Sequence, residues 1–400
     1  MKIPVQNCSS CAACANVCTR GAISMQLDAE GFYRPVIDGN KCIRCGACEK
    51  TCPWTNIIEN PNVASEVPQV VAAYAKDESV RSESSSGGIF TVLAEKILEE
   101  NGVVVGVAQL SPTKFGHIVV DNKVDLGKLR GSKYVQADAG LIYHEVRSLL
   151  KSGKKILFSG TPCQVAALYA VLGHAATSTN LTTVDIVCHG TPSVKVFEKY
   201  VRELEENLGV SFESVNFRDK SSGWGGYSLL HRFNGANPLC VHHARSTYMR
   251  LFLSRICQNQ SCDDCRYRKL PRIADITLGD YWGISKYHPE MNDDKGTSVI
   301  LLNTDHGKGL FESIADQIRQ CDSNLEYAIA GNPCIVRSSK QHPKRAEFFV
   351  NLDKYRFNEL IKKYCPHSSL QKIRHMCKNL IQNNHVLNIF LNRIRNMFLL

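Results

Sequence analysis

Two stretches of the chain, CSSCAACANVC (Cys8–Cys18) and CIRCGACEKTC (Cys42–Cys52), carry the same cysteine spacing. In each stretch, three cysteines separated by two residues can reach three irons of one 4Fe-4S cluster, and a fourth cysteine follows after three more residues. Bacterial two-cluster ferredoxins use this arrangement, with the fourth cysteine ligating the neighbouring cluster. Structural zinc sites use two separated CxxC pairs instead, and disulfides are typical of secreted chains. The repeated spacing therefore favours two 4Fe-4S clusters over zinc or disulfides.

The ferredoxin pattern divides these cysteines between the two clusters by exchanging the fourth ligand. One predicted set is Cys8, Cys11, Cys14 and Cys52, and the other is Cys42, Cys45, Cys48 and Cys18. Pro53 follows the last cysteine as the pattern requires, whereas Thr19 occupies the matching position of the first copy. Between the copies, AISMQLDAEGFYRPVI alternates around Gly31 and predicts a β-hairpin.

The length and the cysteine content restrict the class of protein. A chain of 400 residues is too long for a ferredoxin alone and predicts two or three domains with a large core. The N-terminal stretch MKIPVQNCSS has no apolar segment typical of a secretory signal, and no run approaches the roughly 18 apolar residues of a spanning helix. With 18 cysteines, the composition favours a reducing compartment where thiols hold metals, and we expect a cytoplasmic protein.

The positive charge is concentrated near the end of the chain. From Lys340 onward there are twelve Lys or Arg residues against three acidic ones, which accounts for nine of the ten net charges. The preceding body is nearly neutral, which argues against nucleic-acid binding. Residues 372–400 mix basic and apolar residues near helical spacing. This pattern is compatible with a terminal helix packed on its own domain, or with a segment that docks on an acidic membrane surface or a partner.

Alternating strand and helix patterns follow a proline-containing linker after Trp54. Strands such as VVAAYA, KKILFSG and TTVDIVCHG each run into a turn and a helix, which favours a largely parallel sheet covered on both faces. Residues 211–243 are more glycine-rich and predict antiparallel strands. The predicted fold class is α/β, with a small α+β bacterial-type ferredoxin domain and a larger α/β domain with a mixed, largely parallel sheet. The predicted boundaries are residues 1–58, 69–305 and, for a helical basic C-terminal region, 306–400.

Two more cysteines, Cys163 in GTPCQ and Cys188 in VCHGTP, follow predicted strands. Ligands of open α/β sheets bind at the carboxyl ends of the strands, where both thiols would meet. Together with Cys262 and Cys265 of SCDDC they offer four ligands for a third 4Fe-4S cluster, with Cys257 as a rival ligand. The alternatives are buried apolar thiols and a helix-start nucleophile at Cys163. The remaining cysteines are interpreted as inert thiols, namely Cys240, Cys321, Cys334, Cys365 and Cys377.

Several loops carry residue types that suit a nucleotide cofactor. SSSGG precedes a predicted helix and either turns backbone N–H groups toward a phosphate or merely caps the helix. LRGSKYVQAD offers a cation and an aromatic ring, unless it is a solvated loop. GWGGY and GDYWG place tryptophans in glycine-rich loops, for stacking on a flat ring or for filling the core. The chain has neither a GxGxxG fingerprint nor a Walker motif.

Six motifs occur in a fixed order between Ser84 and Gly283, namely SSGG, GSKY, GTPCQVAAL, VDIVCHGTPS, NFRDKSSGW and SCDDCRYRKLPRIADITLGDYWG. With the ferredoxin motifs, this order over about residues 1–300 resembles the family of coenzyme F-420 hydrogenase/dehydrogenase beta subunits, which includes 7-hydroxymethyl chlorophyll a reductase. The resemblance implies that the large domain binds FAD. It places the FAD contacts at Ser86, Gly87, Gly88, Ser132, Lys133 and Tyr134, and family cysteine positions at Cys163, Cys188, Cys262 and Cys265.

The motifs together predict an iron–sulfur flavoprotein oxidoreductase. Electrons would pass between a ferredoxin-type partner, the protein's own 4Fe-4S clusters and FAD, to reduce or oxidise a small organic substrate. The alternative is an electron-transfer subunit of a larger redox complex, with no substrate site of its own. His189 and Asp280 are candidate catalytic proton donors, because each lies in a strand-end loop that carries a family motif.

Overall fold

The computed structural model describes residues 7–63, 67–338 and 340–366. Its N-terminal part is a ferredoxin-like domain in which each cysteine stretch leads into a short helix, Ala13–Val17 (α1) and Ala47–Lys50 (α2). The strands Ile23–Leu27 (β1) and Tyr33–Ile37 (β2) pair antiparallel between these helices. The predicted hairpin is therefore confirmed, and the pseudo-repeat in the sequence is a repeat in the structure.

The remaining strands form an eight-stranded sheet and a separate three-stranded sheet. They are Gln69–Ala75 (β3), Val103–Ser111 (β4), Lys114–Val120 (β5), Ile156–Gly160 (β6), Leu181–Ile186 (β7), Phe212–Asp219 (β8), Ser228–Phe233 (β9), Ala236–His242 (β10), Ile276–Asp280 (β11), Ser298–Leu302 (β12) and Ile318–Ser323 (β13).

The large sheet has the strand order β13-β3-β12-β11-β7-β6-β4-β5. The neighbours β4, β6, β7 and β11 run parallel, while β5, β12 and β13 pair antiparallel with their partners. Every residue of β12 is buried, as expected of a strand covered on both faces. The predicted fold class, α/β with a mixed and largely parallel sheet, is confirmed. The antiparallel segment predicted over residues 211–243 forms β8, β9 and β10.

Helices cover the faces of the large sheet and pack around the smaller one. They are Glu78–Glu83 (α3), Ile89–Glu99 (α4), Lys123–Leu126 (α5), Ile142–Lys151 (α6), Pro162–Leu172 (α7), Val194–Leu208 (α8), Thr247–Ser254 (α9), Ile284–Tyr287 (α10), Asp305–Glu312 (α11), Leu325–Gly331 (α12), Arg345–Asn351 (α13) and Phe357–Tyr364 (α14). The start of α7 is fixed by a capping box between Thr161 and Gln164, with Pro162 in the first turn. Ser193 caps α8, which ends at the left-handed Gly209.

The boundary that we predicted at residue 305 is wrong. Residues after it continue the large domain, because β13 pairs with β3 along its whole length, from Ile318 opposite Ala75. Without this strand, the backbone groups on that side of β3 would lack partners. Phe348 and Leu360 are fully buried in the core that surrounds α8 and α9. Residues 306–366 therefore belong to the large domain, and the basic segment 372–400 lies outside the described residues.

The ferredoxin-like domain is held against the large domain by hydrogen bonds to its cysteine loops. Asn259 Nδ2 donates to the carbonyl oxygen of Cys8 at 3.2 Å. Tyr267 Oη donates to the carbonyl oxygen of Pro53 at 2.9 Å. Cys8 is a predicted cluster ligand, and Pro53 follows the ligand Cys52. These two hydrogen bonds therefore fix the position of the first cysteine set relative to the large domain. Within the described residues, no helix is long and apolar enough to cross a membrane.

A buried ion pair joins β7, at the centre of the large sheet, to the segment that precedes β11. Arg272 Nη2 lies 2.8 Å from Asp185 Oδ2, and both side chains are completely shielded from solvent. Arg272 also donates to the carbonyl oxygen of Tyr267 at 3.0 Å. Burial raises the pKa of Asp185, and the Arg272 guanidinium opposes this shift. The pair fixes the loop that carries Cys262 and Cys265 to the end of β7.

Replacement of Arg272 by methionine should lower the free energy of unfolding by about 3–5 kcal/mol, because it leaves the Asp185 carboxylate buried without its partner. The measurement is denaturant unfolding of the anaerobic protein, followed by circular dichroism. The matched control is Lys123→Met, which removes an exposed ion pair with Glu99 and should barely move the midpoint. Equal midpoints for the two variants would contradict the structural role of the buried pair.

Candidate redox site

The structure brings together the first predicted cysteine set. Burial, together with the nearby thiolates of Cys8 and Cys52, raises the pKa of the Cys11 thiol to about 12. Burial also raises the pKa of Cys14, and the thiolates of Cys11, Cys8 and Cys52 act in the same direction. The backbone N–H of Ser10 donates to Cys8 Sγ at 3.3 Å. The four thiols of this set therefore lie close to one another, and Cys8 Sγ accepts a backbone hydrogen bond. Such a group of thiols matches the ligands of a 4Fe-4S cluster.

The second predicted set surrounds a small cavity nearer the surface. Its four cysteines, Cys18, Cys42, Cys45 and Cys48, all line a space of about 20 Å³. The backbone N–H of Arg44 donates to Cys42 Sγ at 3.4 Å, and that of Ala22 donates to Cys18 Sγ at 3.3 Å. Cys48 is buried, whereas Cys45 is exposed. This set therefore also fits a 4Fe-4S cluster, with one ligand at the protein surface.

The four cysteines predicted for a third cluster also lie together. Burial raises the pKa of Cys163 well above its ordinary value, and the thiolates of Cys265 and Cys188 raise it further. Burial raises the pKa of Cys262 to about 12, again with Cys188 and Cys265 as neighbours. Backbone N–H groups after Cys188 donate to Cys188 Sγ and Cys262 Sγ, both at 3.4 Å. The rival Cys257 is fully buried in a different apolar cluster.

The three sets follow one another without a gap in the packing. Cys14, Cys18 and Cys48 belong to one small apolar cluster, which links the second set to the first. Cys11 is buried in a larger apolar cluster against which Cys163 and Cys265 pack. Between these thiols lies Tyr143, whose hydroxyl donates to the carbonyl oxygen of Cys11 at 2.9 Å. The thiolates of both Cys11 and Cys163 raise the pKa of this tyrosine, although burial is the larger cause.

The third set borders a cleft of about 280 Å³ at the carboxyl ends of the parallel strands. Cys163 and Cys188 line this cleft, and so do Ser9 and Ser10 of the ferredoxin-like domain. The volume is near the lower end of the range for small-molecule sites. Ligands of open α/β sheets bind at this edge, so the cleft is the candidate cofactor site.

The SSGG loop forms one wall of the cleft at the start of α4. Gly88 has a φ of +87° and no side chain caps the helix, so its first N–H groups are not used by a capping residue. Gly88 and Ser86 line the cleft. Gly87 lies behind them, where a Cβ atom would approach the carbonyl oxygen of Ala73 to 2.5 Å. The loop therefore needs glycine for close packing at Gly87 and for its backbone conformation at Gly88.

The GSKY loop also lines the cleft, through Ser132, Lys133 and Tyr134. The N–H of Ser132 donates to Ser85 Oγ at 2.7 Å and thereby joins the two loops. Lys133 Nζ donates to three carbonyl oxygens of residues 128–130, at 3.2, 3.0 and 2.6 Å. Burial lowers the pKa of Lys133 to about 7, whereas the three carbonyl oxygens favour the charged ammonium. In this structure the lysine organises its own loop.

The two predicted proton donors differ in their surroundings. His189 lines the cleft, with Nδ1 3.5 Å from Cys334 Sγ. Asp280 also lines the cleft, but its Oδ1 accepts hydrogen bonds from Arg218 Nη2 at 2.9 Å and from Trp224 Nε1 at 2.7 Å. Asp280 is thus held by two donors of the cleft wall, whereas His189 contacts a thiol.

Sequence reasoning singled out two tryptophans but missed that they stack on each other, and it missed the cations behind the cleft. The rings of Trp224 and Trp282 stack at 4.8 Å with an angle of 5° between their planes. Arg218 is buried over the ring of Tyr227 at 4.0 Å. Lys220 Nζ donates to three backbone carbonyl oxygens, among them that of Ser86. Three of these residues, Arg218, Lys220 and Trp224, belong to the motif NFRDKSSGW. Charged and aromatic residues close together in that motif were the sequence feature that could have indicated this support.

Three models of protein families match the chain. The 4Fe-4S dicluster domain matches residues 7–56. The N-terminal part of the coenzyme F-420 hydrogenase/dehydrogenase beta subunit matches residues 70–140, and the C terminus of the same subunit matches residues 153–322. The two beta-subunit matches together cover more than half of the chain.

Two curated relatives match part of the chain. The chain is 24% identical to one subunit of the F(420)H(2) dehydrogenase of Methanosarcina mazei over 170 residues, which are 40% of this chain and 47% of that protein. It is 25% identical to an uncharacterized protein of Methanocaldococcus jannaschii over 193 residues, 41% of this chain and 52% of that protein. The chain thus spans about half the length of the curated relatives it matches.

A solved structure of the F-420-reducing NiFe hydrogenase complex of Methanosarcina barkeri contains a chain with 18% sequence identity and a TM-score of 0.45. That match covers 77% of this chain and 95% of the hydrogenase chain. The family matches, with the dicluster domain in front of them, agree with the order of motifs in the sequence. The chain therefore belongs to the family of coenzyme F-420 hydrogenase/dehydrogenase beta subunits.

Proposed function

We propose that the protein is an iron–sulfur flavoprotein oxidoreductase that acts on a small organic substrate at the cleft. The observation that carries this proposal is the succession of three four-cysteine sets, from the exposed Cys45 to Cys163 and Cys188 at the cleft. When bound, 4Fe-4S clusters carry single electrons and FAD exchanges one or two, so the pair can couple a one-electron partner to a two-electron reaction. The chain has 18 cysteines, a content that favours a reducing compartment, and we propose a cytoplasmic location.

The cleft residues fit FAD by their chemistry. The start of α4 offers N–H groups and the positive end of the helix dipole, both of which favour a diphosphate. Small residues at Ser86, Gly88 and Ser132 allow close approach of the cofactor, and Tyr134 offers an aromatic face. We propose that these residues hold FAD, while Gly87 and Lys133 hold the two loops in shape.

We propose His189 as the residue that delivers or accepts the substrate proton. It lines the cleft beside Cys188, and its Nδ1 contacts Cys334. An imidazole ring carries both a proton donor and a proton acceptor nitrogen, which suits proton transfer. Asp280 would act as the anchor of Arg218 and Trp224 at the cleft wall.

The names of the relatives support a second candidate function. One relative is a subunit of an F(420)H(2) dehydrogenase, and the hydrogenase chain is part of a complex. On this alternative, the protein is an electron-transfer subunit without a substrate site of its own. Co-purification with a partner enzyme, together with failure of the isolated chain to turn over any small acceptor, would favour it.

The surface at the second cysteine set suits an acidic one-electron carrier such as a ferredoxin. Cys45 is exposed, and the neighbouring Ile43 leaves 62% of its surface open to solvent. Arg44, Lys41 and Lys50 are exposed around it. An apolar centre with a cationic rim is typical of surfaces that steer an acidic partner into contact.

Iron analysis tests the three cysteine sets. The protein purified without oxygen should contain about twelve irons per chain, four for each cluster. Cys163→Ala should lower the content to about eight, because it removes one ligand of the third set. Cys257→Ala is the control and should keep about twelve, since Cys257 lies outside the set. The third cluster is ruled out if the wild type holds only about eight.

Flavin content tests the cleft. Ser132→Glu places a negative charge between the two loops and should weaken FAD binding by at least about tenfold, which corresponds to ~1.4 kcal/mol. The neutral isostere Ser132→Gln is the control for size, and it should retain more FAD than the glutamate variant. The measurement is flavin released by acid, with FAD affinity from fluorescence quenching. If the two variants bind FAD with equal affinity, the FAD phosphates do not lie next to Ser132.

Electron delivery tests the surface at the second set. Arg44→Asn removes one cation and keeps a residue that tolerates the left-handed backbone found there, with a φ of 55°. Reduction of the protein by a reduced 4Fe-4S ferredoxin should slow several-fold at low salt, and the difference should shrink at high salt as charges are screened. Lys123→Asn, at an exposed lysine outside this surface, should leave the rate unchanged. Equal rates for both variants would exclude this surface as the docking site.

A further inference from the structure

Three side chains of different chemistry converge at the edge of the large sheet, apart from the cysteine sets and the cleft. They are His288, Glu290 and Cys321, and one donor atom of each lies within 4.8 Å of the other two. His288 and Glu290 belong to the turn that follows α10, whereas Cys321 lies on the edge strand β13. The fold therefore brings an imidazole, a carboxylate and a thiol together from two segments.

The His288 ring is held in place by its surroundings. Only 15% of its side chain is exposed, and its ring makes edge contacts with Tyr281 at 5.8 Å and Tyr327 at 6.3 Å. Its Nε2 lies 2.8 Å from Ser323 Oγ, and that hydroxyl lies 2.5 Å from Tyr281 Oη. Metal-bound histidines typically use their second ring nitrogen in such a hydrogen bond. The arrangement leaves Nδ1, the nitrogen near Glu290, available to an ion.

The spacing of the donors fits ligands of one ion. His288 Nδ1 lies 3.8 Å from Glu290 Oε1, which is longer than a hydrogen bond. Ligand atoms of a tetrahedral zinc ion lie roughly 3.3–3.7 Å apart, given zinc–ligand bonds of about 2.0–2.3 Å. A small adjustment of the exposed Glu290 side chain would bring the pair to that separation.

We propose that His288, Glu290 and Cys321 form a binding site for a zinc ion. Imidazole and thiolate together select zinc over magnesium or calcium, and a carboxylate is an accepted third ligand. A single thiolate cannot hold an iron–sulfur cluster, so the site is chemically distinct from the three cysteine sets.

The ion would join two segments that continue into the wall of the cleft. The turn at His288 follows Asp280 and Trp282, and β13 leads through α12 to Asn332, all of which line the cleft. Asn332 Nδ2 already donates to the carbonyl oxygen of Asp280 at 2.9 Å. Zinc would therefore add a second link between these segments and should raise the thermal midpoint.

Zinc binding is measured on the full-length, cluster-loaded protein by equilibrium dialysis against buffered free Zn²⁺, with metal analysis and zinc-edge X-ray absorption. The expected result is one zinc per chain with one sulfur ligand at about 2.3 Å and nitrogen or oxygen ligands near 2.0–2.1 Å. Cys321→Ser and Glu290→Gln should each weaken binding strongly. Ser323→Ala, which removes the hydrogen-bond partner of His288, should weaken it by about 10–100-fold.

Cys240→Ser is the matched control, because Cys240 is an exposed thiol on β10 and should not affect zinc. Iron content and circular dichroism show that each variant is folded and loaded. The proposal is overturned if the wild type retains no zinc, or if Cys321→Ser and wild type bind it equally. It is also overturned if the absorption spectrum shows several sulfur ligands, since the ion would then occupy a cluster site.

Discussion

The buried ion pair between Arg272 and Asp185 positions the cysteines of the third set. Asp185 is near the end of β7, just before Cys188, and Arg272 lies between the SCDDC loop and β11. Separating the two buried side chains would leave each charge without a partner or solvent, which is costly. The pair therefore holds the loop with Cys262 and Cys265 against the strand end that carries Cys188. Parallel pairing of β6 with β7 brings Cys163 to the same edge. One interaction thus assembles the third cysteine set and one wall of the cleft.

The ferredoxin-like domain depends on the same region. Asn259 and Tyr267, which flank the SCDDC loop, donate to the carbonyl oxygens of Cys8 and Pro53. The first cysteine set is therefore fixed against the third, rather than attached through a flexible linker. As a result, the three cysteine sets lie one after another between the exposed Cys45 and the cleft. Such an order suits a protein that exchanges electrons at its surface and carries out chemistry inside.

Much of this arrangement could be predicted from the sequence. The cysteine spacing specified two clusters, and Cys163 and Cys188 could be placed at one sheet edge because parallel strands end there. Spacing alone could not choose between Cys257 and the other thiols, since that choice depends on tertiary packing. The edge strand β13 escaped prediction because its residues are mostly polar and exposed, with no apolar alternation. The three carbonyl contacts of Lys133 are likewise set by loop geometry, which residue types do not reveal.

The central claim is that three clusters and one flavin share a single chain. A stepwise anaerobic titration with dithionite, followed by visible absorbance and electron paramagnetic resonance, tests it most directly. We expect the protein to take up about five electrons per chain, one for each cluster and two for FAD. Uptake of only about two electrons, with no flavin signal at any stage, would contradict it, because it would leave only the two clusters of the ferredoxin-like domain.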